Sequence, residues 1–141
     1  MTISTGTRGS LQTAARGIVT GTIAGNASWY EDVEITEDGT AVAGSPTTWE
    51  WRLTLRKDAT DTSSPILTLT TVDAAGPSGI DTLTIVQGTS STILQIRVPF
   101  TSPQGIDAGD YFIDIASQDT SARVIAWAHG LVTVTDEPAL F

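Results

Sequence analysis

Residues 47–56 read Thr-Thr-Trp-Glu-Trp-Arg-Leu-Thr-Leu-Arg. Apolar side chains occupy alternate positions from Trp49 to Leu55, and polar or charged side chains fill the positions between them. Successive side chains of a β-strand point to opposite faces, so the apolar set shares one face. This pattern is typical of an antiparallel strand with one buried and one solvated face. The stretch therefore predicts a half-buried strand.

The same period of two recurs along the chain, with clusters of Gly, Pro, Asp and Ser between the runs. These clusters are typical of turns. No segment carries a sustained apolar repeat of helical spacing. Short strands separated by turns predict an all-β, antiparallel sandwich. The expected strands cover residues 18–23, 29–35, 47–56, 66–71, 82–86, 92–98, 111–116 and 122–135.

A more specific motif precedes the strand at residues 111–116. Residues 107–111 read Asp-Ala-Gly-Asp-Tyr, the D-x-G-x-Y form of the tyrosine corner in immunoglobulin-like sandwiches. We expect Asp107, Gly109 and Tyr111 to form this corner, in which the Tyr hydroxyl bonds to backbone upstream. Trp51 is the candidate for the buried core tryptophan. The motif indicates an immunoglobulin-like antiparallel β-sandwich.

Composition excludes several classes of protein. The chain has 141 residues, one His, no Cys and a formal net charge of −9. Without Cys it forms no disulfide and no thiolate zinc site. Phosphate contacts need clustered Lys and Arg, so a nucleic-acid partner is not expected. The longest apolar run, residues 124–128, is far shorter than a membrane helix requires, so no membrane partner is expected.

Charge and apolar content divide the chain into an arm and a body. Residues 1–28 carry two Arg and no acidic residue, whereas all 16 acidic residues follow. The first residues are mostly small and polar, and such a segment buries too little apolar surface to fold alone. We expect residues 1–16 to form an N-terminal arm, flexible or ordered by a partner, and residues 17–141 to form the sandwich. The arm residues expected at an interface are Ile3, Arg8, Leu11 and Arg16.

Candidate catalytic and metal-binding residues are few. His129 is the only imidazole available to activate a nucleophile, and we expect it at a strand edge or interface, so an enzyme is not expected. Acidic residues cluster between Glu31 and Asp38. Oxygen-rich clusters can hold Ca²⁺, but this spacing lacks the regularity of a calcium loop. Solubility or attraction of a basic partner is the alternative, and we expect no cofactor.

Three aromatic residues have two interpretations. Trp29, Tyr30 and Trp127 lie on strands whose faces are either buried or docked on another protein. Core packing is the default, and Trp29 and Tyr30 are also candidate interface residues. A carbohydrate-binding module for host surface glycans is the alternative function, and it requires at least one of the three to be exposed in an open groove.

The order of the motifs resembles a known family. The resemblance rests on residues 51–56 (WRLTLR), 96–99 (IRVP) and 109–111 (GDY). They resemble the small immunoglobulin-like accessory proteins of tailed-phage virions, and are similar to the amino-terminal domain of baseplate upper proteins. The resemblance implies a structural virion protein, made in the host cytoplasm. Its expected partners are head, collar, tail or fibre subunits and further copies of itself.

Overall fold

A computed structural model describes residues 2–3, 9–15, 18–24, 29–37, 40–42, 46–57, 65–72, 82–87, 92–98 and 107–135. These ranges contain eleven strands and one short 3-10 helix, Pro46–Thr48. The strands are β1 (Thr2–Ile3), β2 (Gly9–Ala15), β3 (Ile18–Ala24), β4 (Trp29–Glu37), β5 (Thr40–Ala41), β6 (Glu50–Arg56), β7 (Leu67–Thr70), β8 (Thr82–Gln87), β9 (Thr92–Val98), β10 (Gly109–Gln118) and β11 (Val124–Thr135).

The strands form two sheets. Sheet one has the order β1-β4-β9-β8, with β5 also paired to β4, and sheet two has the order β2-β3-β11-β10-β6-β7. In immunoglobulin-like domains, strands A, B, E and D form one sheet, and strands G, F, C and C′ form the other. Strand β1 here corresponds to A, β4 to B, β9 to E and β8 to D, while β11, β10, β6 and β7 correspond to G, F, C and C′. The all-β, immunoglobulin-like sandwich expected from the sequence is confirmed.

Alternating side chains from both sheets fill the core. Strand β9 alternates between buried and half-buried positions along its whole length, and β10 alternates between buried and half-buried or exposed positions from Tyr111 to Ser117. The inward residues include Leu94 and Ile96 on β9 and Ile113 and Ile115 on β10. Burial of such aliphatic side chains stabilises the fold by about 1.5–3 kcal/mol each. The period of two read from the sequence therefore identifies the core correctly.

One strand pair is parallel, which the expectation of an antiparallel sandwich did not include. Strand β3 pairs with β11 in parallel, from Ile18 opposite His129 to Ala24 opposite Thr135. The next strand, β4, belongs to sheet one, so the chain crosses to the other sheet directly after this pair. Parallel pairing between such distant segments leaves no mark on the local sequence pattern.

The structure places two described parts of the expected arm, residues 1–16, in the two sheets. Thr2–Ile3 pairs with β4 in sheet one, and Gly9–Ala15 pairs with β3 in sheet two. Strand pairing satisfies backbone N–H and C=O groups whatever the side chains are, so a run poor in apolar residues still adds to a sheet edge. Arg8 and Arg16 lie outside the described residues.

Strand β6 begins later than expected. The sequence predicts a strand from Thr47, but residues 46–48 form the 3-10 helix and β6 starts at Glu50. Pro46 opens this helical turn, where its fixed φ is compatible with the helix and its lack of an N–H costs nothing. The Trp49 N–H donates to the carbonyl of Pro46 at 3.3 Å and closes the turn.

Candidate docking surfaces

The tyrosine corner forms at the start of β10. The Tyr111 hydroxyl donates a hydrogen bond to the backbone carbonyl of Asp107 at 2.6 Å. Gly109 has φ of +149°, a conformation that side chains rarely adopt. The Lys57 ammonium lies 4.6 Å from the centre of the Tyr111 ring, within cation–π distance. Burial raises the pKa of Tyr111, and the negative charge of Asp107 raises it further.

Trp51 is fully buried and anchors a group of tryptophans. Its ring stacks with Trp49 at 6.1 Å and with Trp127 at 5.6 Å between centroids, within the range favoured by aromatic pairs. The Trp51 indole N–H donates to the carbonyl of Pro46 at 2.8 Å. A buried tryptophan on the C strand is a hallmark of immunoglobulin-like domains. Ile113 follows Tyr111 by two residues, where that family places its second Cys, and it is fully buried.

Trp127 faces the core because β11 contains a bulge. Ile115 pairs with Ala128 and Ala116 pairs with Ala126, so Trp127 is the extra residue of β11. A bulge leaves one residue unpaired and re-aims its side chain. The Trp127 indole N–H donates to the Ser117 hydroxyl at 2.8 Å, on the buried side of β10.

Trp29, a candidate interface residue, lies in the core of the sandwich. It is 1% exposed, and its indole N–H donates to the Glu31 carboxylate at 2.8 Å. Both residues lie on the inward face of β4, because they are two positions apart on one strand. Of the three aromatic residues in the carbohydrate-binding alternative, Trp29 is buried and Trp127 is half-buried, whereas Tyr30 is exposed, so this alternative stays a prediction that rests on Tyr30.

Tyr30 lies on the outer face of sheet one and is 38% exposed. The Arg97 guanidinium lies 5.6 Å from the centre of its ring. Arg97 also forms an ion pair with Asp32 at 2.8 Å and donates to the backbone carbonyl of Glu31 at 3.1 Å. These contacts fix Arg97 above Tyr30, so this part of the surface is polar and ordered.

The acidic cluster is divided between two faces of β4. Glu31 points into the core, whereas Asp32 and Glu34 are half-buried on the outer face. Alternation along a strand separates neighbouring carboxylates. Among the described residues, no group of three His, Cys, Asp or Glu side chains is arranged to hold a metal ion. The side chain of Glu37 and the whole of Asp38 lie outside the described part.

His129 is exposed on the outer face of sheet two, directly opposite Asp114 of β10. It belongs to a surface that we call the docking face, the outer side of β11, β10 and β6. Side-chain alternation directs the residues of this face outward, where polar residues are usual. Five apolar residues nevertheless occupy it: Val124, Ala126, Leu131, Phe112 and Ala116.

Two large apolar side chains stand out on the docking face. Leu131 is 46% exposed and Val124 is 67% exposed. Leu131 lies directly opposite Phe112, and Ala126 lies directly opposite Ala116, so two apolar pairs flank the polar pair of His129 and Asp114 on this face. The sequence pattern alone did not predict these residues as a surface. In the sequence, the only indication is that an apolar residue occupies the strand face that also carries His129 and Thr133.

A shallow groove of about 110 Å³ crosses one end of the docking face. It is lined by Glu50, Arg52, Ala116, Ser117, Gln118 and Val124. Pockets for small molecules usually enclose about 300–1,000 Å³, so this groove suits a single side chain of a partner better than a substrate. An exposed ion pair, Arg52 to Glu50 at 2.8 Å, borders it.

The candidate interface residues at the N-terminus occupy sheet edges. Ile3 pairs with Val33 of β4, and Leu11 pairs with Gly21 of β3. Ile3 therefore lies at an edge of sheet one, and Leu11 lies at an edge of sheet two. No helix in the described ranges is both long and apolar enough to cross a membrane.

The strand order and the tyrosine corner define the class of this protein as an immunoglobulin-like sandwich. No family model matches the chain, and no curated protein matches it. Among solved structures, it is similar to a structure of murine CRIg. The two share 13% identity with a TM-score of 0.38, over 93% of this chain and 99% of that chain. At that TM-score the likeness carries no argument, and the strand order above is the basis of the assignment.

Proposed function

We propose that this chain is a structural, non-catalytic component of a tailed-phage virion. In this proposal it docks on head, collar, tail or fibre subunits through the docking face. The motif order of residues 51–56, 96–99 and 109–111 supports the virion role, because it resembles that of immunoglobulin-like accessory proteins of such particles. The observation that carries the docking function is the exposure of Leu131 and Val124 on a flat sheet surface.

The chemistry of the docking face suits a protein partner. Leu131 and Val124 lose water on contact with a partner, which favours a complex, and His129 and Asp114 lie between them as groups for polar contacts. Arg52 and Glu50 border the groove and stay at the rim, where charges contribute mainly to specificity. Protein interfaces combine such apolar contacts with hydrogen bonds between polar groups.

The test uses phage particles assembled without this chain. Purified protein is added to them, the particles are sedimented, and the bound protein is quantified. We expect saturable binding, which Leu131→Asp weakens at least about tenfold because a buried carboxylate replaces an apolar anchor.

Thr47→Asp is the matched control. It introduces the same charge at an exposed position of the 3-10 helix, away from the docking face, and should bind like the unmodified protein. Absence of binding by the unmodified protein would refute the virion role. Equal binding by Leu131→Asp would refute the docking face.

A further inference from the structure

Strand β8 is an edge strand without the usual protection. It pairs with β9 from Thr82 opposite Arg97 to Gln87 opposite Thr92, with no shift of register. In the described part of the chain no strand pairs with its other side. An edge strand presents unpaired N–H and C=O groups, which can pair with another chain.

The sequence of β8 favours such pairing. Residues 82–87 read Thr-Leu-Thr-Ile-Val-Gln, with no charged residue, Pro or Gly. Natural proteins protect edges with charges, Pro, bulges or very short strands. Val86, on the outer face, is 47% exposed. Its exposure was not predicted from the sequence, where residues 82–86 indicate only a strand.

The other described edges each carry one of these protections. Strand β1 has two residues and β7 has four. Strand β2 has a register shift between Thr13 and Ala15, which is the mark of a bulge. Strand β8 is the described edge that is both long and regular.

A second copy of β8 fits this edge. The chain carries a net charge of −9, so two copies repel each other over most of their surfaces, and a contact between them needs an uncharged strip. When two copies of β8 pair in the antiparallel direction, no charged residues of the two strands meet, because the strand contains none. This pairing also makes an isologous contact, in which the same residues meet on both sides.

The faces of the sheet restrict the register. Leu83 and Ile85 point inward, whereas Thr84 and Val86 point outward. Directly paired residues share a face, so joining two sheets with their cores on the same side requires inward residues to meet inward ones. This condition is met when the two-fold axis passes through a residue, so that residues equally far before and after it pair with each other. Near the middle of the strand that residue is Thr84 or Ile85.

We propose that two copies of this chain associate by antiparallel β8–β8 pairing, which joins their two copies of sheet one into a continuous sheet. This inference does not depend on the virion role, because it uses a different surface from the docking face. A failure of one proposal therefore leaves the other standing.

The first experiment measures the dimer directly. Sedimentation equilibrium of the full chain at increasing concentration should show a monomer–dimer equilibrium. Thr84→Lys should raise the dissociation constant at least about tenfold, because two ammonium groups then face each other near the axis. Ala126→Lys adds the same charge to the docking face and should leave the constant unchanged. A chain that stays monomeric, or a Thr84→Lys variant that dimerises like the unmodified protein, would overturn the proposal.

The second experiment locates the contact. Because the chain has no Cys, Thr84→Cys introduces a single thiol. Directly opposite residues of an antiparallel pair lie about 4.5–5.5 Å apart between Cα atoms, which is within disulfide range.

Under mild oxidation, Thr84→Cys should cross-link with itself if the axis passes through Thr84. It should cross-link with Val86→Cys if the axis passes through Ile85. Ala126→Cys is the control and should remain uncrosslinked. A dimer in which neither β8 pair cross-links would overturn β8 as the interface.

Discussion

Tyr111 connects the loop before β10 to the core through one short hydrogen bond, 2.6 Å from its hydroxyl to the Asp107 carbonyl. Tyr111→Phe removes this bond and keeps the ring, so we expect the free energy of unfolding to fall by about 1 kcal/mol. Chemical denaturation measures the change. Tyr30→Phe alters the chain's other tyrosine, which is exposed, and should change stability by less than about 0.5 kcal/mol. Equal effects of the two variants would contradict the corner.

The raised pKa of Tyr111 adds a dependence on pH. Burial, followed by the charge of Asp107, keeps its hydroxyl protonated in the folded state above the usual value near 10. The unfolded state therefore loses this proton first, so the stabilisation is complete below pH of about 10 and declines as the pH rises through the folded pKa. We expect Tyr111→Phe to lose less stability than the unmodified protein between neutral and strongly alkaline pH. Parallel pH profiles would contradict this expectation.

At the scale of elements, the hairpin between β10 and β11 is held by Asp119. Its carboxylate accepts hydrogen bonds from the backbone N–H of Ser121 and of Arg123, both at 2.9 Å. These bonds and the positive charge of Arg123 hold the pKa of Asp119 below its usual value. Ala122 completes the turn with φ of 64°, which is unfavourable for a residue with a Cβ.

This conformation predicts that Ala122→Gly stabilises the protein by up to about 1 kcal/mol, since Gly adopts positive φ without steric cost. Thermal unfolding of the variant measures the gain. The matched control is Ala126→Gly in the extended part of β11, which should lower stability by about 0.5–1 kcal/mol. The account of the turn fails if Ala122→Gly is the more destabilising of the two.

The sequence predicts the strands whose apolar residues alternate and misses features set by pairing. Strands β6, β9 and β10 follow from the period of two because one face of each is buried. Strand β2 contains mostly small and polar residues and gives no such signal, since its backbone pairing with β3 places it in the sheet. The inward orientation of Trp127 was equally hidden, because a bulge shifts the alternation within β11.

The candidate site was less predictable than the fold. A carboxylate such as Glu31 is usually solvated, so its position beside Trp29 inside the sandwich could not be read from composition. Leu131 and Val86 became apparent only when the strand faces were known, because each is an apolar residue on an outward face. Their exposure depends on which sheet covers which face, a property of the whole fold.

At the scale of the whole molecule, the sandwich offers three distinct surfaces. The outer face of sheet one carries the ordered contacts of Arg97 with Tyr30 and Asp32. The docking face carries Leu131 and Val124, and the edge at β8 is uncharged. A net charge of −9 favours solubility and disfavours random association. Under the two proposals, the docking face binds a virion subunit and the edge at β8 binds a second copy.

A density map of phage particles assembled in the presence of this chain tests the central claim most directly. The account predicts an immunoglobulin-like sandwich at symmetric positions on the particle, with Leu131 and Val124 of the docking face buried against a virion subunit. Absence of the chain from the particles would contradict the proposed function. A bound sandwich whose docking face remains exposed to solvent would contradict the proposed mode of attachment.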